Sequence, residues 1–286
     1  MRDPGTFLQA IETAIPTLPI QFARLFPKKI SQFNDVLVVN ESLIFRFPRL
    51  ANDAKILRKE VQLLNAIRDY VTLPIPDPIY NQLDKEPVFM GYPMLPGKPL
   101  RQSVIDSLGD DVRQQLAQQL AQFALELHSL PIDQLDITLP NAHNVSYWQR
   151  MYKAFREELF PHMRLDACQQ VILSFEAFLS QPPQFTPVLC HGDLGTGNIL
   201  YDPEQQAISG VIDFGSSALG DPAFDIASLS SCGEAFMTHF RQFYPNIEAL
   251  ESRARFYKST FALQQALWAR RGGDQAAFED GIAAYV

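Results

Sequence analysis

Apolar positions along this 286-residue chain follow two different periods, and the change from one to the other divides it. Within Thr6–Ile15, Phe7, Leu8, Ile11 and Ile15 keep helical spacing. Asp35-Val36-Leu37-Val38-Val39 and Leu43-Ile44-Phe45-Arg46-Phe47 are short and rich in β-branched and aromatic residues. With Asn40-Glu41-Ser42 between them, they predict two strands joined by a turn. A helix is expected from a cap at Asn52 to about Tyr70. Pro74, Pro76 and Pro78 then forbid its continuation, because proline lacks the N–H a helix interior needs. Pro87–Tyr92 reads as another strand. Pro93, Pro96, Gly97 and Pro99 punctuate an extended stretch that marks the expected boundary between a lobe of residues 1–92 and one of residues 93–286.

Beyond that boundary the period becomes helical. Val112, Leu116, Leu120, Phe123 and Leu127 form one apolar stripe, and similar stripes run through Val145–Phe160, Leu165–Leu179, Glu234–Tyr244 and Ile247–Arg271. A β island interrupts them at Pro187–Cys190, Asn198–Tyr201 and Ile208–Phe214. A small β-rich lobe followed by a larger helical lobe with an embedded hairpin is an α+β architecture, and the cleft between such lobes suits a small ligand.

Composition narrows the field. With 47% hydrophobic and 20% charged residues the chain is ordinary globular material, which excludes disorder along most of it. A net charge of −8 argues against nucleic acid as a partner and is compatible with a cationic small molecule. Cys168, Cys190 and Cys232 are too few and scattered for a disulfide framework or a zinc motif, and Cys190 is expected to be a buried strand residue. Met1–Gly5 lacks the apolar core of a signal peptide, and no run of about 18 apolar residues occurs. A cytoplasmic monomer without membrane or nucleic-acid partners is the expectation.

The candidate chemistry lies in the island. His191-Gly192-Asp193-Leu194-Gly195-Thr196-Gly197-Asn198 forms a glycine-rich loop between two apolar strands, and Asp213-Phe214-Gly215 follows. Folding Asn198–Asp213 as a hairpin about Gln205-Gln206, with turn chemistry from Asp202-Pro203-Glu204, brings Asn198 and Asp213 together at its open end. Two hard oxygen ligands there, with Asp193 one loop away, suit Mg²⁺. The spacing matches the kinase pattern of a catalytic Asp, an Asn five residues later and a metal-binding Asp heading D-F-G.

With Gly220-Asp221-Pro222 and Asp225 following, these motifs resemble the aminoglycoside phosphotransferase family, and within it the 2''-phosphotransferases. Leu43–Pro48, Met90-Gly91-Tyr92, Pro96–Leu100 and Asn198–Asp202 are similar to stretches of that group in the same order, so the resemblance runs from about Ser31 to the C-terminus. It implies a bilobal, protein-kinase-like fold with a nucleotide-binding lobe at 1–92 and a catalytic, substrate-binding helical lobe at 93–286. It also implies transfer of the γ-phosphoryl group of ATP or GTP to a hydroxyl of an aminoglycoside. Asp193 would then orient the acceptor hydroxyl and take its proton, and Asn198 and Asp213 would hold Mg²⁺. His191 is expected to brace the loop, as are Asp221 and Asp225, with Asp221 the better helix cap.

Glu60 supports the same reading independently. It falls on the apolar stripe of Ile56, Leu63, Leu64 and Ile67, and an inward-facing carboxylate needs a cationic partner. That partner is expected to be Arg46, at the strand position where kinase-like lobes carry a lysine. Lys55 and Lys59 belong more naturally to a solvated face. No G-x-G-x-x-G precedes the first strand, which leaves Ser31 and Asn34 as candidate phosphate contacts. The hinge after Met90, with Tyr92, is expected to offer backbone groups to the nucleobase.

For the acceptor, the family's acidic cluster after the D-P-x-x-D helix is reduced here to Glu234, with Trp268, Glu279 and Asp280 as further candidates. Trp268 fits better in a core stripe with Phe261 and Leu267. Another amino-sugar, an amino-alcohol or a macrolide remains open as acceptor. A metal phosphohydrolase and a non-catalytic nucleotide-binding protein are the competing classes.

Overall fold

The computed structural model describes residues 4–26 and 33–286. Its first third is an antiparallel sheet clasped between two helices. Helix α1 (Pro4–Ala14) opens with proline, which is tolerated in the first turn, and buries Phe7 and Ile11 one turn apart. Strands β1 (Ala23–Leu25), β2 (Asn34–Val39) and β3 (Leu43–Pro48) follow, then helix α2 (Ala51–Ile67), β4 (Tyr80–Gln82) and β5 (Phe89–Pro93). The sheet order is β1-β2-β3-β5-β4, with every pairing antiparallel.

Alternation along β3 gives the sheet two faces. Phe45 and Phe47 pack with Phe7, Ile11 and Phe89 under α1, where the Phe7 and Phe47 rings stack at 4.4 Å. Ile44 points the other way, into a cluster with Val38, Leu57, Val61, Met90 and Tyr92 beneath α2. Arg46, two residues along, shares that face.

Helix α2 begins one residue before the expected cap. Leu50 is extended and donates its N–H to Asp53 Oδ2 at 3.0 Å, so Asp53 closes the first turn and Asn52 lies inside it. The helix also ends earlier, at Ile67, where a tight turn bonds Tyr70 N to Ile67 O. Strand β5 starts at Phe89 because Pro87 has no N–H and Val88 N turns to the Glu86 carboxylate at 3.2 Å.

The remainder is mainly helical. After β6 (Lys98–Pro99) come α3 (Gln102–Ser107), α4 (Asp110–His128), α5 (Val145–Ala154) and α6 (Leu165–Ser180). The island supplies β7 (Val188–Cys190), β8 (Ile199–Asp202), β9 (Ala207–Val211) and β10 (Ala218–Gly220). Helices α7 (Ala223–Leu229), α8 (Glu234–Phe243), α9 (Glu248–Gly272) and α10 (Gln275–Ile282) close the chain. Strands β8 and β9 form the expected hairpin, with β6 on the outer side of β8, and β7 pairs with β10. Where one helix was expected through Phe160, α5 stops at Ala154. The next turn widens over Phe155–Leu159 and tightens over Phe160–His162, where Pro161 breaks the ladder.

The helical core centres on Trp148, fully buried and stacked on Tyr257 at 5.1 Å among Phe175, Phe224 and Phe256. Trp268 does not belong to it. The buried line of α9 passes through Leu263, Ala266 and Leu267, and one residue further turns the side chain by about 100°. Trp268 is therefore 43% exposed, with the Arg271 guanidinium 5.1 Å over its ring.

Candidate active site

The His191–Asn198 loop joins β7 to β8 and depends on one glycine. Gly192 has φ +81°, and a Cβ there would stand 2.3 Å from Ser216 O, so the close approach of the two loops requires glycine. His191 is buried and braces this turn. Its Nδ1 accepts Asp193 N–H at 3.2 Å, which puts the ring proton on Nε2, facing Ile212 O at 3.2 Å.

Asp225, buried in the first turn of α7, holds the loop from below. It accepts N–H groups from His191 at 2.8 Å and Gly192 at 2.9 Å, and His128 Nε2 lies 3.1 Å away. Burial alone would raise its pKa, but the hydrogen bond from His128 and the neighbouring charges hold it below the ordinary value, so it stays ionised. Asp221 does cap α7, through Ala223 N at 3.0 Å. It also receives Arg253 Nε at 2.6 Å and the Tyr257 hydroxyl at 2.8 Å from α9.

Among the described residues, His128, Cys190 and Asp225 form the one trio whose ligand atoms converge within 4.8 Å. The Asp225 oxygens are already occupied by the loop's N–H groups, and burial pushes the Cys190 thiol well up, so it stays protonated. The donor set fits a hydrogen-bonded floor better than a metal site.

Above this floor sit the expected chemical groups. Asn198 Nδ2 donates to Asp193 Oδ2 at 2.8 Å and to Asp193 O at 2.9 Å. Asp193 is exposed, yet protein crowds its carboxyl enough that desolvation raises its pKa. Nearby Asp213 adds to the rise, and His191 opposes it. Ile212 N bonds Asn198 O at 2.9 Å, which closes the hairpin and puts Asn198 beside Asp213. The strand expected to reach Phe214 ends at Val211 because Asp213 adopts a left-handed conformation, φ 68°, that swings its side chain out of the ladder.

Arg46 meets Glu60 as expected, Nη1 to Oε1 at 2.5 Å, and reaches Asp213 Oδ1 with Nη2 at 3.1 Å. Burial raises the Glu60 pKa against the pull of Arg46, while the two carboxylates hold Arg46 firmly charged. Lys55 and Lys59 are exposed. Met90 lies opposite Arg46 in the β3–β5 register and Tyr92 opposite Ile44, and both are buried. Burial pushes the Tyr92 hydroxyl up to about 12, against the pull of Arg46. Asn34 is buried at the start of β2, opposite Pro48, and Ser31 lies outside the described residues.

The acceptor candidates do not come together. Glu234 opens α8, pairs with Arg241 at 2.6 Å, and borders a cavity of about 260 Å³ with Met237, Glu251, Arg255 and Lys258. Ile226, Ala227 and Ser230 also line it, so it lies across α7 from the His191–Asn198 loop, which bonds Asp225 and Ser231. Trp268 sits ten residues past Lys258 on α9, about 15 Å along the axis. Glu279 and Asp280, exposed on α10, bond Gln275 and Gln265. His128, Tyr244, Arg253 and Tyr257, which carry the floor of the site, stand 32 to 116 residues from their partners and left no local pattern to find.

Residues 31–267 match the phosphotransferase enzyme family. The viomycin phosphotransferase of Streptomyces vinaceus is 32% identical over 205 residues, covering 70% of each chain. Among solved structures, the GDP and kanamycin complex of APH(2")-IIia superposes with a TM-score of 0.89 at 27% identity, over 98% of this chain and 96% of that one. The GDP complex of wild-type aminoglycoside 2'-phosphotransferase-IIIa gives 0.89 at 25% identity, over 99% and 97%.

Proposed function

This chain belongs to the phosphotransferase enzyme family, and we propose that it transfers the γ-phosphoryl group of ATP or GTP to a hydroxyl of an aminoglycoside. The observation that carries this is the convergence of Asp193, Asn198 and Asp213 on one edge of the cleft, facing the Arg46–Glu60 pair. The relatives' nucleotide and aminoglycoside complexes support the choice of both substrates.

The donors present fit a hard divalent cation. Asn198 spends its amide nitrogen on Asp193, which leaves its oxygen for a cation, and the Asp213 carboxyl is half exposed beside it. Asn198 and Asp213 would hold Mg²⁺, which neutralises charge on the phosphate oxygens when bound. Asp193 orients the acceptor hydroxyl and takes its proton as the new O–P bond forms and the bond to the departing nucleoside diphosphate breaks. The Asn198 amide keeps Asp193 aimed, and positioning outweighs base strength because the phosphoryl transition state is loose. Arg46 carries the positive charge that faces the phosphates. Of the four acceptor candidates, Glu234, which borders the cavity beside α7, is the one retained as a contact for the acceptor's ammonium groups.

Purified protein with Mg²⁺ and ATP or GTP should add one phosphoryl group to a member of an aminoglycoside panel, read by mass. Asp193→Ala should abolish the product. Turnover unchanged in that variant would overturn the mechanism. A panel without product would remove the aminoglycoside and turn the search to other amino-sugars, amino-alcohols and macrolides.

A further inference from the structure

One guanidinium serves two carboxylates from different parts of the chain. Arg46, in the middle of β3, bonds Glu60 of α2 through Nη1 and Asp213 through Nη2. Glu60 Oε1 also accepts Phe214 N–H at 3.2 Å, so the Asp213–Phe214 corner is tied to the sheet through Arg46 and to α2 through Glu60.

The three side chains differ in their access to water. Arg46 and Glu60 are buried, whereas the Asp213 side chain is 50% exposed. The Arg46–Asp213 bond is therefore the exchangeable one, since solvent can replace it at little cost, while separating the buried pair would leave an uncompensated charge. Glu60 offers a second seat on the same carboxylate. Its Oε2 is buried and accepts no hydrogen bond among the described residues, so an Arg46 released from Asp213 can complete a two-bond fork on Glu60.

We propose that Arg46 is an exchange latch on the metal carboxylate: it neutralises Asp213 in the nucleotide-free protein and moves fully onto Glu60 when a divalent cation takes Asp213. The proposal rests on the reading of Asp213 as a metal ligand. Arginine matters here because its donors sit on separate nitrogens in one plane, whereas a lysine places all of them on a single atom. Arg46→Lys keeps the charge and removes the fork. It should loosen the hold on Asp213 while keeping the formal charge.

The test is a Mn²⁺ titration of nucleotide-free protein, followed by the loss of the free-ion paramagnetic resonance signal. Arg46→Lys should bind Mn²⁺ roughly threefold to tenfold more tightly than the unaltered protein, as expected when one partly exposed charge-assisted bond no longer competes. Asp213→Asn should lose the site in either background. Equal or weaker binding by Arg46→Lys, or no binding by either protein, overturns the latch. Retention of the site in Asp213→Asn overturns instead the assignment of Asp213 as a ligand.

A second measurement needs no Arg46 variant. The guanidinium ¹⁵N resonances of the unaltered protein should include one that shifts on Mg²⁺ addition and does not shift in Asp213→Asn. A spectrum in which no guanidinium responds to Mg²⁺ also overturns the proposal.

Discussion

The Asn198 side-chain amide donates to both the carboxylate and the backbone oxygen of Asp193, at 2.8 and 2.9 Å. One residue thus aims the proposed base and turns its own oxygen away from it. Asn198→Asp removes the donor and sets a second negative charge against Asp193. We expect kcat to fall by about 10²-fold or more, the scale of losing one oriented group in a site that works by positioning.

Asp193 also sets a pH dependence. Asp193 must be ionised to accept a proton, and desolvation already raises its pKa. Activity should therefore fall, as pH is lowered, at a higher pH than an ordinary aspartate would give. Asn198→Asp should move that acid limb further up, because a like charge disfavours ionisation. A kcat/KM profile between pH 4 and about 8 measures both limbs, and a limb that stays in place in the variant contradicts the assignment of Asp193 as the base.

Gly192→Ala tests the loop's backbone. With φ +81° and Ser216 O at 2.3 Å from the added carbon, the substitution strains both the residue and its neighbour. A loss of about 2–4 kcal/mol in urea unfolding is expected, with activity lost alongside it. Full stability would mean that the two loops can separate.

Asp225→Asn should be worse than removal of either residue behind it. Asp225 takes two loop N–H groups and faces His128, and an amide nitrogen in that seat would confront a donor with a donor. The expected cost is about 3–5 kcal/mol. Tyr244→Phe, which removes only the hydroxyl 2.7 Å from His128 Nδ1, should cost about 1 kcal/mol. Equal effects of the two would show that the chain of contacts is not graded in this way.

His143 predicts a stability window. It is buried and stacked on Phe224 at 3.9 Å, and desolvation lowers its pKa to about 4 from 6.5. Between those values the unfolded chain binds the extra proton and the folded one does not, so stability rises with pH through the window. It is complete above about 6.5 and lost toward about 4, a contribution on the order of 3 kcal/mol. His143→Asn, which tolerates the positive φ of 62°, should flatten the slope of unfolding free energy against pH whatever its effect on absolute stability.

What was legible in the sequence depended on whether partners share a local pattern. The Arg46–Glu60 pair could be anticipated because each residue broke an apolar period, one on a strand and one on a helix. Asn198 and Asp213 could be joined because a single hairpin links them, and Asp193 because its loop leads directly into that hairpin. Trp268 was placed wrongly because α9 buries residues around much of its circumference, and a one-residue rotation is invisible in such a stripe. The grip of Arg253 and Tyr257 on Asp221 could not be foreseen, since only the packing of α9 against α7 brings them together. Asn52 failed as a cap because Asp53, equally suited to the end of a helix, reaches back to Leu50.

Helix α7 works on two sides. Asp225, with Ser231 just past the helix, holds the His191–Asn198 loop on one, while Ile226 and Ala227, with Ser230 just past the helix, border the Glu234 cavity on the other. The cavity wall on α8 and the first turns of α9 can therefore be rebuilt while the loop's supports stay in place. The limit of such work is Arg253, which lies between the cavity residues Glu251 and Arg255 in sequence but is committed to Asp221.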